Sequence, residues 1–249
     1  VGEQHGFAPG HALEDRLLRA LHGRRPKLGL SLEMFETDVQ VVLDEYLGGH
    51  ITESAFLAAS RPWPRYKTDY RPMVEYCREA RVPVIASNAP RRYVNIVSRS
   101  GQEALLRLPR ASRALLPRLP YTMDLSADYD SELSRLFGSP HGSVPAHGMP
   151  SPQHMKQAQA LWDHSMAESI LAARRRLRLQ TVMHVCGSMH CERGFGIVER
   201  LRKAAPRLRI ATVILRPTPE DGSQPPPTLG DFVVDCGVQP TVKHSAPGS

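Results

Sequence analysis

Short apolar runs alternate with longer amphipathic segments along this chain. The runs have the length of buried strands, and the segments between them place apolar residues at helical spacing. This alternation predicts an α/β fold with a mixed, largely parallel central sheet flanked by helices, in which the last strand is the candidate for an antiparallel one. The runs predicted as strands are 28–32, 82–86, 181–186, 209–215 and 231–236.

Capping residues mark the start of two of the predicted helices. Thr52 suits the N-cap of a short helix at 51–59, and Ser151 followed by Pro152 begins a long helix that extends to residue 178. The other helical segments are predicted at 11–23, 37–47, 72–80 and 192–204, with broken helical segments over 92–116.

These elements predict a single domain over residues 1–243, followed by a disordered tail at 244–249. A helical and irregular insertion is expected around 92–178. Within it, 119–150 lacks clear periodicity and is too long for an ordinary connection, so we interpret it as an irregular lid or insertion. The first residues look like the end of an element, which predicts that the N-terminal strand is truncated.

The composition supports a folded core with a basic surface. Of 249 residues, 41% are hydrophobic, and the sequence contains no apolar run of about 18 residues that would span a membrane. Lys+Arg 32 minus Asp+Glu 25 gives a net charge of +7. This excess is spread along the chain without interleaved aromatic residues, so nucleic-acid binding is not expected. A basic surface can also serve an anionic lipid or an anionic ligand, and most of these charges are expected to form a solvated face.

Ionisable residues follow the ends of several predicted strands. Gly2-Glu3-Gln4-His5 comes after the truncated first strand, Glu33 follows 28–32, and Gly187-Ser188-Met189-His190 follows 181–186. In open α/β sheets, ligands bind at the edge where the carboxyl ends of the strands meet. We therefore predict that His5, Glu33 and His190 converge at that edge.

Two interpretations of this set stay open. Two imidazoles and a carboxylate can hold a divalent metal with an open position for water, and Glu3 can be a fourth ligand or a general base. The same residues can hold a substrate without a metal. The structural alternative for each histidine alone is a hydrogen-bonded residue of a turn.

Three further polar residues are candidates. Asn88 and Arg91 follow the strand at 82–86 on a loop fixed by Pro90, and they suit a carboxylate or a propionate. The structural alternative is an Asx turn with a solvent-facing arginine. Asp163 lies on the long helix, where a surface carboxylate is the alternative to a role in the site.

Other residues lie between these motifs in a fixed order along the chain. They are His11, Glu33-Met34-Phe35, Gln40, Tyr46-Leu47, Trp63, Tyr70, Pro72, Ala86-Ser87-Asn88-Ala89-Pro90-Arg91, Gln157, Asp163 and Met166-Ala167. Together with the two Gly-x-x-His motifs, the ordered set resembles the ChaN-like haem-binding domain. That domain belongs to a superfamily with the Tiki and TraB proteins and the erythromycin esterase-like enzymes. The resemblance covers residues 1–215.

The resemblance implies a domain that binds haem, has a role in haem or iron uptake or handling, and forms a homodimer with haem between the subunits. The family leads us to expect a tyrosine as iron ligand, and Tyr121 and Tyr129 are the candidates. The propionates would suit Asn88 and Arg91. Rival iron ligands are His141, His147 and His154, and supporting residues are His11 and Asp163.

Two other branches of the superfamily imply hydrolases. The Tiki branch implies a metal-dependent peptidase that uses Glu3, His5, Glu33 and His190 with Zn, Mn or Co. The erythromycin esterase-like branch implies metal-independent hydrolysis with histidine and glutamate as base. The full motif set favours haem binding, and enzymatic activity is left open. The family is compatible with a membrane-associated lipoprotein or an organellar, plastid protein, so the sequence does not identify the compartment.

Overall fold

The computed structural model describes residues 1–138 and 150–238. The strands are β1 (Gly2–Glu3), β2 (Leu28–Glu36), β3 (Val84–Asn88), β4 (Thr181–Gly187), β5 (Val213–Arg216) and β6 (Phe232–Asp235). They form a six-stranded sheet in the order β3-β2-β4-β1-β5-β6, and every neighbouring pair is parallel. The predicted α/β class with a central sheet is confirmed. His141, His147 and the predicted tail at 244–249 lie outside the described residues.

Helices connect and cover the strands. The α-helices of the described residues are α1 (Ala8–Arg24), α2 (Gln40–Leu47), α3 (Glu53–Ser60), α4 (Tyr66–Asp69), α5 (Arg71–Ala80), α6 (Arg91–Ser100), α7 (Arg110–Arg113), α8 (Ala127–Phe137), α9 (Pro152–Arg176) and α10 (Ile197–Ala204). Short 3₁₀ segments lie at Thr37–Val39, Gln102–Arg107, Ser188–His190 and Glu192–Gly194. Within the described residues, none of the helices combines the length and apolar character needed to cross a bilayer.

The last strand is parallel to its neighbour, so the expectation of an antiparallel strand is wrong. The pairing of β5 with β6 runs from Val213 opposite Phe232 onward along both strands. Parallel neighbours need a connection that returns the chain to the starting end of the sheet, and residues 217–231 are long enough to do so. Asp231 fixes this return, because its Oδ2 accepts a hydrogen bond of 2.7 Å from the backbone N–H of Thr212.

Strand β2 is longer than predicted and almost entirely buried. It lies between β3 and β4, with Leu30 opposite Val84 on one side and Met183 on the other. Because both faces of the strand are covered, most of its residues are apolar. Glu33 interrupts this apolar run, so the sequence pattern predicts that the strand ends before it. Glu33 lies within β2, not after it as predicted. Strand β3 is shifted by two residues from the predicted 82–86, and Asn88 is its last residue.

Both predicted caps are confirmed. Thr52 Oγ1 accepts a hydrogen bond of 3.2 Å from the backbone N–H of Ala55 at the start of α3. Ser151 Oγ accepts one of 3.1 Å from His154 at the start of α9, which has Pro152 in its first turn. Each cap satisfies a backbone donor that the helix itself leaves without a partner.

A helix replaces part of the segment predicted to be irregular. Helix α8 begins after Ser126, whose Oγ accepts a hydrogen bond from Tyr129 N at 3.3 Å. Tyr129 and Leu133 are buried and lie four residues apart on one helical face. Two apolar positions within a polar sequence are too few to reveal a period, which explains why the helix was missed.

The main core lies between the central strands and the helices that follow β2. The apolar residues of β2 pack with those of β3 and β4 and with an aromatic group that includes Phe35. In this group the rings of Tyr46 and Phe56 stack with centroids 4.5 Å apart. Helix α9 packs against β3, α6 and α10, and so brings Asp163 close to the sheet.

Candidate functional site

Three adjacent strands present the candidate residues at one edge of the sheet. β4 lies between β2 and β1, and Glu3 of β1 is in register with Gly187 at the carboxyl end of β4. His5 follows β1, Glu33 lies in the carboxyl half of β2, and His190 follows β4. The parallel pairing therefore brings residues that are far apart in sequence to one place.

The first histidine is held by a buried carboxylate. His5 Nδ1 lies 2.6 Å from Glu3 Oε1, which also accepts a hydrogen bond of 2.6 Å from the Tyr70 hydroxyl. An ionised carboxylate only accepts, so Nδ1 carries the proton and Nε2 keeps its lone pair in the neutral ring. The His5 side chain is 44% exposed, and its ring meets Trp63 edge-on at a centroid distance of 4.9 Å.

The second histidine has the same arrangement in a more buried place. His190 Nδ1 lies 2.6 Å from Asp163 Oδ1, and the Tyr129 hydroxyl donates to Oδ2 of the same aspartate at 2.9 Å. Asp163 is fully buried beneath α8 and is not a surface carboxylate. His190 Nε2 then lies 3.7 Å from Oε1 of Glu33.

Glu33 lies between the two imidazoles. Its Oε2 accepts a hydrogen bond of 2.7 Å from the backbone N–H of Gly187. A Cβ at position 187 would lie 2.9 Å from His5 Nε2, so a larger residue there would force the His5 ring to shift from its present position. We call His5, Glu33, Gly187 and His190 the rim.

Both rim histidines are shifted toward their charged forms. Burial opposes the charge on His190, but Glu33 and the hydrogen bond to Asp163 raise its pKa to about 9. Burial also opposes the charge on His5, and the hydrogen bond to Glu3 with the charge of Glu33 raises its pKa. At neutral pH the rim therefore carries a positive charge on His190, next to the carboxylate of Glu33.

A more compact group of ligand atoms lies below the rim. His11 Nδ1 is 3.2 Å from Glu3 Oε2 and 3.1 Å from Glu14 Oε2, and all three side chains are buried. We call these three residues the inner cluster. Among the His, Cys, Asp and Glu residues that the structure describes, these three form the group whose ligand atoms all lie within 4.8 Å of one another. The predicted trio of His5, Glu33 and His190 is not so compact.

Charges within the inner cluster are strongly coupled. Burial opposes ionisation of Glu3, but hydrogen bonds with His11 and His5 lower its pKa far below the usual range. Burial together with the charge of Glu3 raises the pKa of Glu14 to about 8. Burial disfavours the charged form of His11, but the hydrogen bonds to Glu14 and Glu3 raise its pKa to about 10.

Glu14 was missed at the sequence level, and so was the role of Tyr70 as a hydrogen-bond donor to Glu3. A signal for Glu14 was present, because His11 and Glu14 are three residues apart on a helix that follows a strand end and so share a face. Only the fold shows that this face turns inward. The tyrosine comes from a distant segment that no local pattern connects to Glu3.

The residues predicted to hold propionates lie at the end of β3. Asn88 Oδ1 accepts a hydrogen bond of 2.9 Å from the backbone N–H of the next residue, Ala89. An Asx turn would instead accept from the N–H two residues on. Arg91 is exposed at the first turn of α6. Its neighbour Arg92 forms an ion pair with Asp38.

The aromatic iron-ligand candidates are buried and already hydrogen-bonded. The Tyr121 hydroxyl donates to the backbone oxygen of Gln157 at 2.9 Å, and the Tyr129 hydroxyl donates to Asp163. Burial raises the pKa of both phenols, which opposes the phenolate form that ligates iron. His154 is half-buried beside Gly101, at the start of α9.

The fold and the rim together define a class of protein. The chain is an open parallel α/β sheet domain with two histidines at the carboxyl ends of its strands, each hydrogen-bonded to a carboxylate. In open α/β sheets this edge is where ligands bind. Residues 1–201 match the family described as "Haem-binding uptake, Tiki superfamily, ChaN". The chain belongs to this family.

Two known proteins are similar to the chain. Protein RETICULATA-RELATED 5, chloroplastic, of Arabidopsis thaliana is 26% identical over 227 residues, which are 88% of this chain and 30% of the relative. The chain thus spans about a third of that relative's length. The solved structure "Cofacial heme binding to ChaN of Campylobacter jejuni" is 17% identical, with a TM-score of 0.67 over 93% of this chain and 84% of that one. At that identity the structural likeness concerns the fold.

Proposed function

We propose that this domain binds haem and serves in haem or iron handling, with His5 as the iron ligand. The chain belongs to the ChaN family. The observation that carries the proposal is the exposed imidazole of His5, which lies where the carboxyl ends of the strands meet. The solved ChaN of Campylobacter jejuni, whose title names cofacial haem binding, shares the fold.

The donor set fits an iron ligand at His5 better than at the tyrosines. The Nε2 atom of His5 faces the rim with its lone pair, because Nδ1 is engaged by Glu3. A carboxylate on the other ring nitrogen fixes the tautomer and raises the basicity of a ligating imidazole. Tyr121 and Tyr129 would first have to break buried hydrogen bonds and lose a proton.

Arg91 is the proposed partner of a propionate. It follows β3, which lies three strand positions from β1 at the same edge of the sheet. At roughly 4.8 Å per strand, the two ends are roughly 14 Å apart. A porphyrin held at His5 can reach that distance with its propionate arms. The exposed guanidinium suits a carboxylate through paired hydrogen bonds.

A haemin titration tests the proposal. The purified chain is titrated with micromolar haemin, and the Soret band is followed in the wild type, His5→Ala, Tyr121→Phe and Tyr129→Phe. We expect a shifted Soret band in the wild type that the His5 variant loses and both tyrosine variants keep. An Arg91→Ala variant should bind more weakly without a change in the band position, because it leaves the iron ligand in place.

Two results would overturn this assignment. An absent Soret shift in the wild type would remove haem binding altogether. A band lost in the tyrosine variants but retained in His5→Ala would move the iron ligand to the tyrosines.

A second candidate function is metal-independent hydrolysis. The observation that favours it is the pair of carboxylate–histidine units, Glu3 with His5 and Asp163 with His190. Neutral His5 can take a proton from water through Nε2, and charged His190 can stabilise negative charge that develops on a substrate oxygen. The rim is less compact than the inner cluster, and the proton transfer and charge stabilisation proposed here need no metal ion.

An ester-cleavage assay separates this candidate from haem binding. Hydrolysis of p-nitrophenyl acetate should be faster with the wild type than with His5→Ala, while Tyr121→Phe serves as the matched control outside the rim. Equal rates for the wild type and His5→Ala would remove the hydrolase candidate.

A further inference from the structure

We propose that the inner cluster of Glu3, His11 and Glu14 is a divalent-cation site below the rim. Its donor atoms are spaced as ligands of one small ion would be. His11 Nδ1 lies 3.2 Å from Glu3 Oε2 and 3.1 Å from Glu14 Oε2. Four ligands placed tetrahedrally at about 2.0–2.1 Å from zinc are about 3.4 Å apart, so the observed spacing needs only small adjustments.

An unpartnered oxygen atom points to a ligand that the protein itself does not supply. Glu14 Oε1 is buried and has no hydrogen-bond partner among the described residues, while Glu3 Oε2 lies 3.2 Å from His11 Nδ1 without a well-aligned hydrogen bond. Glu3 and Glu14 are 2% and 0% exposed. Buried carboxylate oxygens are normally hydrogen-bonded or bound to a cation. Because Glu3 Oε2 faces His11 Nδ1, a cation at this place would satisfy it.

The surroundings of His11 suit a metal-bound imidazole. Its Nε2 lies 3.4 Å from Asp69 Oδ2 and, in this structure, accepts a hydrogen bond of 3.1 Å from the backbone N–H of Gly6. When Nδ1 binds a cation, Nε2 carries the proton and donates to Asp69 in place of its contact with Gly6. A carboxylate behind the ligating histidine is the usual outer contact of such sites. Arg65 holds Asp69 in position at 2.8 Å.

The donor set selects the class of cation. One imidazole and two carboxylates suit zinc or manganese, and the absence of a thiol from the trio disfavours copper(I). Glu3 connects this site to the rim, because its other oxygen accepts from His5. A cation at the inner site would alter the charge that His5 faces, although the ligands of the inner site can bind a cation without haem.

Zinc alone is the probe, and the full chain is used. The chain is stripped with a chelator, loaded with zinc, dialysed and analysed for bound metal, in parallel with Glu14→Gln. Glu45→Gln is the matched control, since Glu45 is an exposed glutamate on α2. We expect one tightly held zinc in the wild type and in the control, and none in Glu14→Gln. Loss of an outer partner of a metal ligand lowers the metal affinity by about 10–100-fold. Glu14→Gln removes a direct ligand, so its zinc affinity should fall by more.

A crystal of the wild type grown with zinc gives a second measurement that no folding defect can disturb. An anomalous peak is expected about 2.0–2.2 Å from His11 Nδ1 and from Glu3 Oε2. No peak at the inner cluster, or equal zinc content in Glu14→Gln and the wild type, would overturn the proposal. A haemin titration of the same wild type separates this result from the proposed function, because either can fail while the other holds.

Discussion

Replacing Asp163 with asparagine should destabilise the protein in a pH-dependent way. Asp163 is fully buried and accepts hydrogen bonds from His190 and Tyr129. Asparagine keeps the shape of the side chain but removes the negative charge that helps to hold the proton on His190. The uncharged amide can still receive the tyrosine hydroxyl, so the main loss is the interaction with His190.

The pKa of His190 sets the size of the effect. Its folded value is raised to about 9, against 6.5 in the unfolded chain. A raised histidine pKa contributes stability that is fully present below 6.5 and is lost as pH rises through 9. For these values the stabilisation is about 3 kcal/mol at pH 6 and well under about 1 kcal/mol at pH 9. Asp163 and Glu33 share that contribution, so Asp163→Asn should lose up to this amount, mostly at the lower pH.

Urea denaturation of metal-free protein at pH 6 and pH 9 measures this difference. Tyr129→Phe is the matched control, because it removes a neutral donor to the same buried aspartate and should cost about 1–3 kcal/mol, by a similar amount at both pH values. NMR titration of the His190 ring should show a lower pKa in Asp163→Asn. The reasoning is refuted if the loss in Asp163→Asn is the same at pH 6 and pH 9, or if the His190 pKa does not move.

Three other substitutions test the rim, a cap and the core. Gly187→Ala should cost about 1–3 kcal/mol through overpacking, because its Cβ would lie 2.9 Å from His5 Nε2. Urea unfolding should show most of this cost disappearing in a His5→Ala background, and an equal cost in both backgrounds would contradict it. Thr52→Ala should lose about 1 kcal/mol by removing the cap of α3, with no change in haemin affinity. Leu30→Ala, in the centre of β2, should lose about 2–5 kcal/mol in the same assay, and a loss below that of Thr52→Ala would be inconsistent with its burial.

Much of the fold follows from local patterns in the sequence. Continuous apolar runs predict the central strands, because parallel strands covered on both faces carry few polar residues. Thr52 and Ser151 mark helix starts because their hydroxyls accept from free backbone donors. Strand ends are harder to place. Glu33 interrupts the apolar run, but the strand continues because Gly187 provides a backbone donor to the carboxylate.

The interactions that support the site are mostly not visible in the sequence. The meeting of His5, Glu33 and His190 could be expected, since ends of parallel strands share an edge. The hydrogen bond from Tyr129 to Asp163 could not be predicted, because it depends on the packing of α8 over α9 and on which face of α9 turns inward. Helix α8 itself has only two buried positions, so its period is too weak to detect.

The choice between histidine and tyrosine depends on burial, which sequence patterns do not report. Tyr121 and Tyr129 lie in a segment that looks irregular and accessible in sequence, yet both are nearly inaccessible in the fold. His5 looks like an ordinary turn residue in sequence. In the structure, its carboxylate partner and its exposure make it the more suitable donor.

Resonance Raman spectroscopy of the ferric haem complex tests whether His5 ligates the iron, because it distinguishes an imidazole ligand from a phenolate. We expect no iron–phenolate bands in the wild type and a changed ligand signature in His5→Ala. Iron–phenolate bands in the wild type that persist in His5→Ala and vanish in Tyr121→Phe or Tyr129→Phe would contradict ligation by His5.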